Sequence, residues 1–185
     1  MPKGKYKVIY ADPPWRYSFS GTRAVKHDDY PTMRTADICA LPISKLANED
    51  CALFIWAIWN RLPDALQVIE AWGFEYVSCG FTWVKLNKSG FGWFWGMGGW
   101  TRQNSEVCLI EKRGSPKRIS ASVHSVVATP VKRHSQKPSE VRSRIEQLMG
   151  DVPRIELFAR TPAEGWDVWG NEVQRHQPCR LTYNF

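Results

Sequence analysis

The stretch VIYADPPW runs from Val8 to Trp15, and the reading of the whole chain grows out of it. Val8, Ile9, Tyr10 and Ala11 are apolar at successive positions, which suits a strand buried on both faces of a parallel sheet. Asp12 then falls at the carboxyl end of that strand, the edge where open α/β sheets bind their ligands. Pro13 and Pro14 fix φ, offer no N–H, and push Asp12 and Pro13 out of helical geometry. A stiff hook results, with a carboxylate and carbonyls held outward and an indole just beyond. Asp-Pro alone is an ordinary strand-ending turn. Tryptophan is an unusual turn residue, and its presence favours a working hook over a plain turn.

The composition narrows what surrounds this hook. The 185 residues, 43% hydrophobic and 23% charged, suit one domain with a real core. The longest apolar run, Ala52 to Trp59, is much shorter than a membrane span, and no membrane partner is expected. Lys3, Lys5 and Lys7 precede no apolar h-region, so no secretory signal is expected. Cys39, Cys51, Cys79, Cys108 and Cys179 form no C-x-x-C pair, and His27, His124, His134 and His176 lack metal spacing. Neither a disulfide framework nor a metal site is expected, and a reducing cytoplasm is the default location. A net charge of +7 and a pI near 9.3 favour a polyanionic partner. Ten tryptophans leave some rings for stacking on nucleobases beyond those that the core absorbs.

Outward from the hook, strands and helices alternate. A polar, irregular segment from Arg16 to Thr35 is followed by short helical turns around Thr35–Leu41 and Ile43–Ala47. Cys51–Ile58 reads as a second buried strand. Asn60 is placed to cap a helix through Pro63, Leu66 and Ile69 that stops at Gly73. Phe74–Leu86 has strand character with a break or bulge at Gly80, and Gly90–Trp100 is too glycine-rich for a regular element. Ser105–Glu111 returns to a strand, and Gly114–Arg133 reads as a long basic segment. Ser139 is an N-cap without a capping box, opening a helix with Val141, Ile145, Leu148 and Met149 on one face and Gly150 as its stop. Arg154–Ala159 and Trp166–Trp169 complete the strands. This alternation predicts a three-layer α/β sandwich without internal repeats.

Asp12-Pro13-Pro14-Trp15 resembles the signature of the S-adenosylmethionine-dependent adenine-N6 methyltransferases of the Asp-Pro-Pro-Trp type, a family that includes mRNA adenosine methyltransferases and bacterial and phage DNA adenine methylases. YPTM at Tyr30–Met33 is similar to that family's loop after the hook. RHSQKP at Arg133–Pro138 resembles the His-x-x-Gln-Lys-Pro signature of amino-methyltransferases, and RIELFAR at Arg154–Arg160 with GWDVWGNEV at Gly165–Val173 resembles the family's cofactor segment. The resemblance implies a Rossmann-like three-layer sandwich with a circularly permuted methyltransferase sheet. It also implies one methyltransferase domain over 1–185, with a target-facing insertion around 87–135. Glu156-Leu157-Phe158 stands where other amino-methyltransferases carry Asp-Pro-Phe, and the glycines that follow there are replaced by Ala159-Arg160.

The chemistry of the hook agrees with this resemblance. An adenine amine is a poor nucleophile, because its lone pair is delocalised into the ring. Asp12 and the Pro13 carbonyl could accept its two N–H bonds and turn that lone pair outward. A fixed carboxylate would also stabilise the positive charge that develops on attack. Asp12, Pro13, Pro14 and Trp15 are therefore the expected catalytic group, with Trp15 stacking on the extruded base. S-adenosylmethionine is the implied cofactor, with Asp12, Lys137, Glu156, Phe158, Arg160, Asn171 and Glu172 expected to line its site. For Glu156 and Glu172, an ordinary solvated or salt-bridged carboxylate is an equal alternative, and Asn171 could be only a turn residue. His134 is a candidate for orienting the turn at Lys137. Tyr30, Trp15, Arg102, Asn104, Lys117 and Arg118 are the expected substrate contacts. DNA is favoured over RNA as the nucleic-acid partner because the chain is compact. The open alternatives are an RNA adenosine methyltransferase and a catalytically silent nucleic-acid-binding scaffold.

Overall fold

A computed structural model describes residues 5–16, 31–98, 100–132 and 136–174. Its centre is a sheet of seven strands in the order β5-β3-β4-β2-β1-β6-β7. They are β1 (Tyr6–Ala11), β2 (Ala47–Ala57), β3 (Glu75–Leu86), β4 (Glu106–Arg113), β5 (Val126–Pro130), β6 (Arg154–Leu157) and β7 (Asp167–Trp169). The helices are α1 (Thr35–Cys39), α2 (Leu62–Ala71), α3 (Glu140–Met149) and α4 (Asn171–Gln174), with single 3-10 turns at Ile43–Lys45 and Trp59–Arg61.

β1 lies inside the sheet next to the central strand, parallel to β2 on one side and to β6 on the other. Its apolar run needs cover on both faces, and both faces receive it. Ile9 and Ala11 join Leu53, Ile55, Val107, Leu109 and Leu157 beneath α1 and α2. Val8 and Tyr10 join Phe54, Trp56, Phe81, Trp83 and Cys108 beneath α3. Each fully buried Val, Leu, Ile or Phe contributes ~1.5–3 kcal/mol, so the two clusters hold the helical layers to the sheet. The expected three-layer α/β sandwich is what the chain forms. β2 also starts earlier than its apolar run, at Ala47, where it pairs with Tyr6 of β1, while its pairing with β4 begins at Cys51.

Two helix starts differ from their expected form. Asn60 lies within the 3-10 turn, and α2 begins at Leu62 with Arg61 at its N-cap and no side-chain cap. Ser139 stands at the N-cap of α3, but its hydroxyl makes no capping hydrogen bond. The phase of α2 is set by Ala65, Val68, Ile69 and Trp72, all buried, which turns Leu66 outward. Gly73 follows the C-cap with φ of +78°, a conformation an L side chain rarely adopts.

β3 shifts register between Cys79 and Phe81, the irregularity expected at Gly80. The segment 114–133 differs more. It holds β5, which pairs in parallel with the second half of β3, and its Val127 is fully buried. The stretch 87–135 is therefore no single insertion, because β4 and β5 within it belong to the sheet.

Strand direction positions everything that follows. β4 is antiparallel to both β2 and β3, while the other neighbouring pairs are parallel. Six of the described strands thus end at one edge of the sheet, and only β4 begins there.

Candidate active site

Asp12 leaves the carboxyl end of β1 at this shared edge. Its carboxylate meets the Lys137 ammonium at 2.8 Å from Oδ1 and 2.9 Å from Oδ2. Lys137 also lies 3.3 Å from Oε2 of Glu106, the first residue of β4. Oε1 of Glu106 in turn accepts from Lys85 at 2.6 Å. Four charges therefore alternate along the edge as Lys85, Glu106, Lys137 and Asp12. The two ammonium groups also sit over indole faces, Lys137 at 5.5 Å from Trp56 and Lys85 at 5.0 Å from Trp83.

Burial decides how these charges behave. The side chains of Lys137 and Asp12 are only 13% and 21% exposed. Burial pushes the Asp12 carboxyl above its ordinary value, opposed by Lys137 and more weakly by Arg160. Burial also pushes Glu106 upward, but Lys137 and Lys85 outweigh it and hold Glu106 below the usual carboxylate range. Lys137 has burial against its charge, yet Asp12 and Glu106 together hold it above the ordinary lysine value. Asp12 is thus the member whose proton is most easily regained. Sequence reasoning misses Glu106 and Lys85, because a Glu and a Lys separated by a glycine-rich loop carry no local signal.

The hook is braced from behind. The Pro13 carbonyl accepts the Trp15 N–H at 2.8 Å, and the Pro14 carbonyl accepts the Met33 N–H at 2.8 Å. A carbonyl oxygen has two lone pairs, so the Pro13 oxygen can accept a second hydrogen bond from an outside donor. Trp15 itself is 6% exposed, sits in the cluster under α1 and α2, and donates its indole N–H to the Trp56 carbonyl at 2.9 Å. This placement corrects the expectation that its ring stacks on a base. Between two apolar strand ends, an indole is worth more as a wedge that holds the hook.

The remaining expected residues fall in several places. Phe158, Arg160, Asn171 and Glu172 gather where β6 and β7 end. Phe158 has a φ of 61° and packs its ring against Trp169 at 5.5 Å between centroids. Arg160 Nε lies 3.7 Å from Glu172. A Cβ on Gly170 would collide with the backbone of Phe158 and Ala159, so only glycine permits this crossing.

Glu156 and Asn104 are occupied internally. Glu156 is buried, and Arg142 of α3 holds both its oxygens, at 2.6 and 3.0 Å. Asn104 accepts from the Lys85 N–H and donates to the carbonyls of Lys85 and Phe94, which pins the loop 87–105 to β3. These polar groups already have partners within the chain, and for Glu156 that is the salt-bridged alternative.

Lys117 and Arg118 are exposed but lie past the end of β4, whose Arg113 pairs with Cys51 at the start of β2. That is the edge opposite Asp12, about 20 Å away at ~3.3 Å per residue, which corrects their expected contact with the target. Arg102 is exposed on the loop 87–105 at the Asp12 edge. Tyr30, Arg133, His134, His27, His176 and Cys179 lie outside the described residues.

The edge fits S-adenosylmethionine by its donor set. Lys137 and Arg160 offer cationic N–H groups for a carboxylate, Asn171 and Glu172 offer an amide and a carboxylate for hydroxyl and ring-nitrogen groups, and Phe158 offers a ring. Oε2 of Glu106, buried at the same edge, has the Lys137 ammonium 3.3 Å away as its charged neighbour. Among the described residues, no group of three or more His, Cys, Asp or Glu side chains could hold a metal ion.

A seven-strand α/β sandwich with its acidic hook beside such a rim defines a methyltransferase. A model of the MT-A70 family matches residues 6–172, and the chain belongs to that family. S-adenosylmethionine is its methyl donor. The chain is 31% identical over 193 residues to the Type II methyltransferase M.MunI of Mycoplasma sp, covering 94% of this chain and 80% of that protein. It is 30% identical to a putative N(6)-adenosine-methyltransferase MT-A70-like protein of Medicago truncatula, with 92% of this chain and 27% of that protein covered. To the N(6)-adenosine-methyltransferase catalytic subunit METTL3 of Homo sapiens it is 29% identical, with 92% and 28% covered.

Proposed function

We propose that the chain transfers a methyl group to the exocyclic N6 amine of adenine in DNA. The observation that carries this reading is the Asp12 carboxylate at the end of β1, fixed by Lys137 next to the Pro13 carbonyl, which can accept a second hydrogen bond. Two acceptors at one corner match the two N–H bonds of an aromatic amine. Asp12 accepts one and the Pro13 carbonyl the other, which draws the nitrogen lone pair out of conjugation and aims it away from the hook. The amine gains positive charge as it attacks, and the fixed carboxylate favours that state over the ground state. S-adenosylmethionine supplies an electrophilic methyl on a sulfonium sulfur. Lys137 keeps Asp12 oriented, and Phe158, Arg160, Asn171 and Glu172 form the rim that holds the donor. The proton released from the methylated amine can pass to Asp12, whose burial raises its affinity for one.

The DNA reading follows the likeness to the Type II methyltransferase, 31% identical with 94% of this chain covered, beside the adenosine methyltransferases at 30% and 29%. The shared N(6)-adenosine names of those relatives favour RNA as the second reading. A cytoplasmic location belongs to the proposal and rests on the scattered cysteines.

Incubation with labelled S-adenosylmethionine and matched unmethylated DNA and RNA, followed by nucleoside analysis, tests both parts. N6-methyladenine in DNA is expected, and its loss in Asp12→Ala with cofactor affinity reduced no more than about tenfold. Label on another base would refute the adenine reading, and label confined to RNA would replace the DNA reading.

A further inference from the structure

The loop 87–105 joins the end of β3 to the start of β4 at the Asp12 edge, and it holds large apolar groups out in solvent. Trp93, Trp95 and Met97 are 53%, 57% and 82% exposed. The residues between them, Phe94 and Gly96, are only half-buried, so exposure alternates with a period of two. The backbone is held in that extended form by hydrogen bonds from Phe94 N–H to the Lys85 carbonyl and from Gly96 N–H to the Gln103 carbonyl, with Asn104 tying its base. Alternate residues of an extended chain project on one side about 6.6 Å apart. That is close to the ~6.8 Å that one base needs between two rings at the usual 3.4 Å stacking separation.

The charge around this ladder selects its partner. Lys85 is neutralised by Glu106 at the base of the loop, and from Leu86 to Ser105 the sequence holds Lys88 and Arg102 and no Asp or Glu. Aromatic rings flanked by a cation on each side, with no carboxylate between, suit a polyanion carrying flat, unpaired bases. We propose that Trp93, Trp95 and Met97 form a stacking surface for unpaired bases of the target strand, on which the neighbours of the reacting nucleotide rest. The inference rests on the nucleic-acid reading above and adds the state of the substrate: the strand is unstacked where it crosses this edge.

Oligothymidine is the probe, because it offers bases to the ladder and no adenine to the hook. Anisotropy titration should find that Trp93→Ala with Trp95→Ala weakens binding at least ~30-fold, while the paired Phe replacements stay within about threefold of wild type. The salt slope of the alanine pair should match wild type, since stacking releases no counterions. Lys88→Gln with Arg102→Gln should flatten that slope by about 0.7 for each phosphate no longer neutralised. Failure of wild type to bind oligothymidine would overturn the proposal, as would equal affinity in the alanine pair or equal loss in the alanine and phenylalanine pairs. An alanine pair that changes sedimentation from dimer to monomer without altering oligothymidine affinity would instead make the ladder an interface between copies. Should wild type methylate no adenine yet lose oligothymidine binding in the alanine pair, the function proposed above fails and the stacking surface stands.

Discussion

Replacing Lys137 by Met removes the cation that touches both carboxylates of the active edge. At 2.8 Å and an effective dielectric of ~20, the gross attraction between Lys137 and Asp12 is about 6 kcal/mol. Most of it offsets the cost of holding both groups away from water. The part that reaches titration corresponds to the ~1–3 pK units that a neighbouring opposite charge usually confers. Asp12 is already raised by burial, so Lys137→Met raises it further. The ionised form accepts the N–H bond, and activity is therefore lost as pH falls through the Asp12 pKa. The acid limb of the kcat profile should move upward by about 1–3 pH units in the variant, and Lys137→Arg should restore most of the shift. Stopped-time methyl-transfer assays from about pH 5 to 9 read it directly. Where turnover is too low, carboxyl chemical shifts of Asp12 followed by NMR titration read the same quantity. Acid limbs that coincide in wild type and Lys137→Met would refute the role given to Lys137.

Charge reversal of Lys117 and Arg118 together should leave turnover and DNA affinity within about twofold of wild type at 0.1 M salt, since the opposite edge lies beyond a ~10 Å Debye length; filter binding and kcat check this. Trp15→Ala should destabilise the fold by ~3–5 kcal/mol, read in urea unfolding, because it empties a buried indole site and leaves the Trp56 carbonyl unpaired. Glu111 is fully buried in β4 with both oxygens unpartnered, and burial holds its carboxyl well above the ordinary 4.5. Its folded pKa exceeds its unfolded one, so stability is fully present below the unfolded value and lost as pH rises toward the folded value. Melting temperatures of Glu111→Gln should therefore fall less with pH above about 4.5 than those of wild type.

The hook is legible because its signal is local: four apolar residues, an aspartate and two prolines name a strand, its end and its stiffness within eight positions. The helix face of α3 is legible for a similar reason, through its 3.6-residue spacing, whereas in α2 Leu66 points outward and Ala65, Val68 and Ile69 carry the face. β5 is not legible, since Val126–Pro130 is a short run in a polar, basic stretch, and only pairing with β3 makes it a strand. The same limit hides Lys85 and Glu106, which acquire meaning through ion pairs across the sheet edge. It also misplaces Lys117 and Arg118, and leaves the partners of Glu156 and Asn104 unseen. Residue type advertises binding groups in these four, whereas strand direction and pairing decide which edge each reaches and what it binds. Trp15 misleads in the opposite direction, as an aromatic beside a catalytic group looks like a platform until its N–H is found inside the core.

The reversal of β4 makes the crossing between β3 and β4 a hairpin that opens and closes at one place. Lys85 and Asn104 are its two posts, tied by paired amide bonds much as neighbouring strands are. Whatever lies between those posts can lengthen, shorten or change composition while the sheet beneath keeps its register. The chain thereby separates an interchangeable head from an invariant frame. Grafting another segment between Leu86 and Asn104 should alter which strand is gripped and leave the hook, the cation beside it and the donor rim where they are.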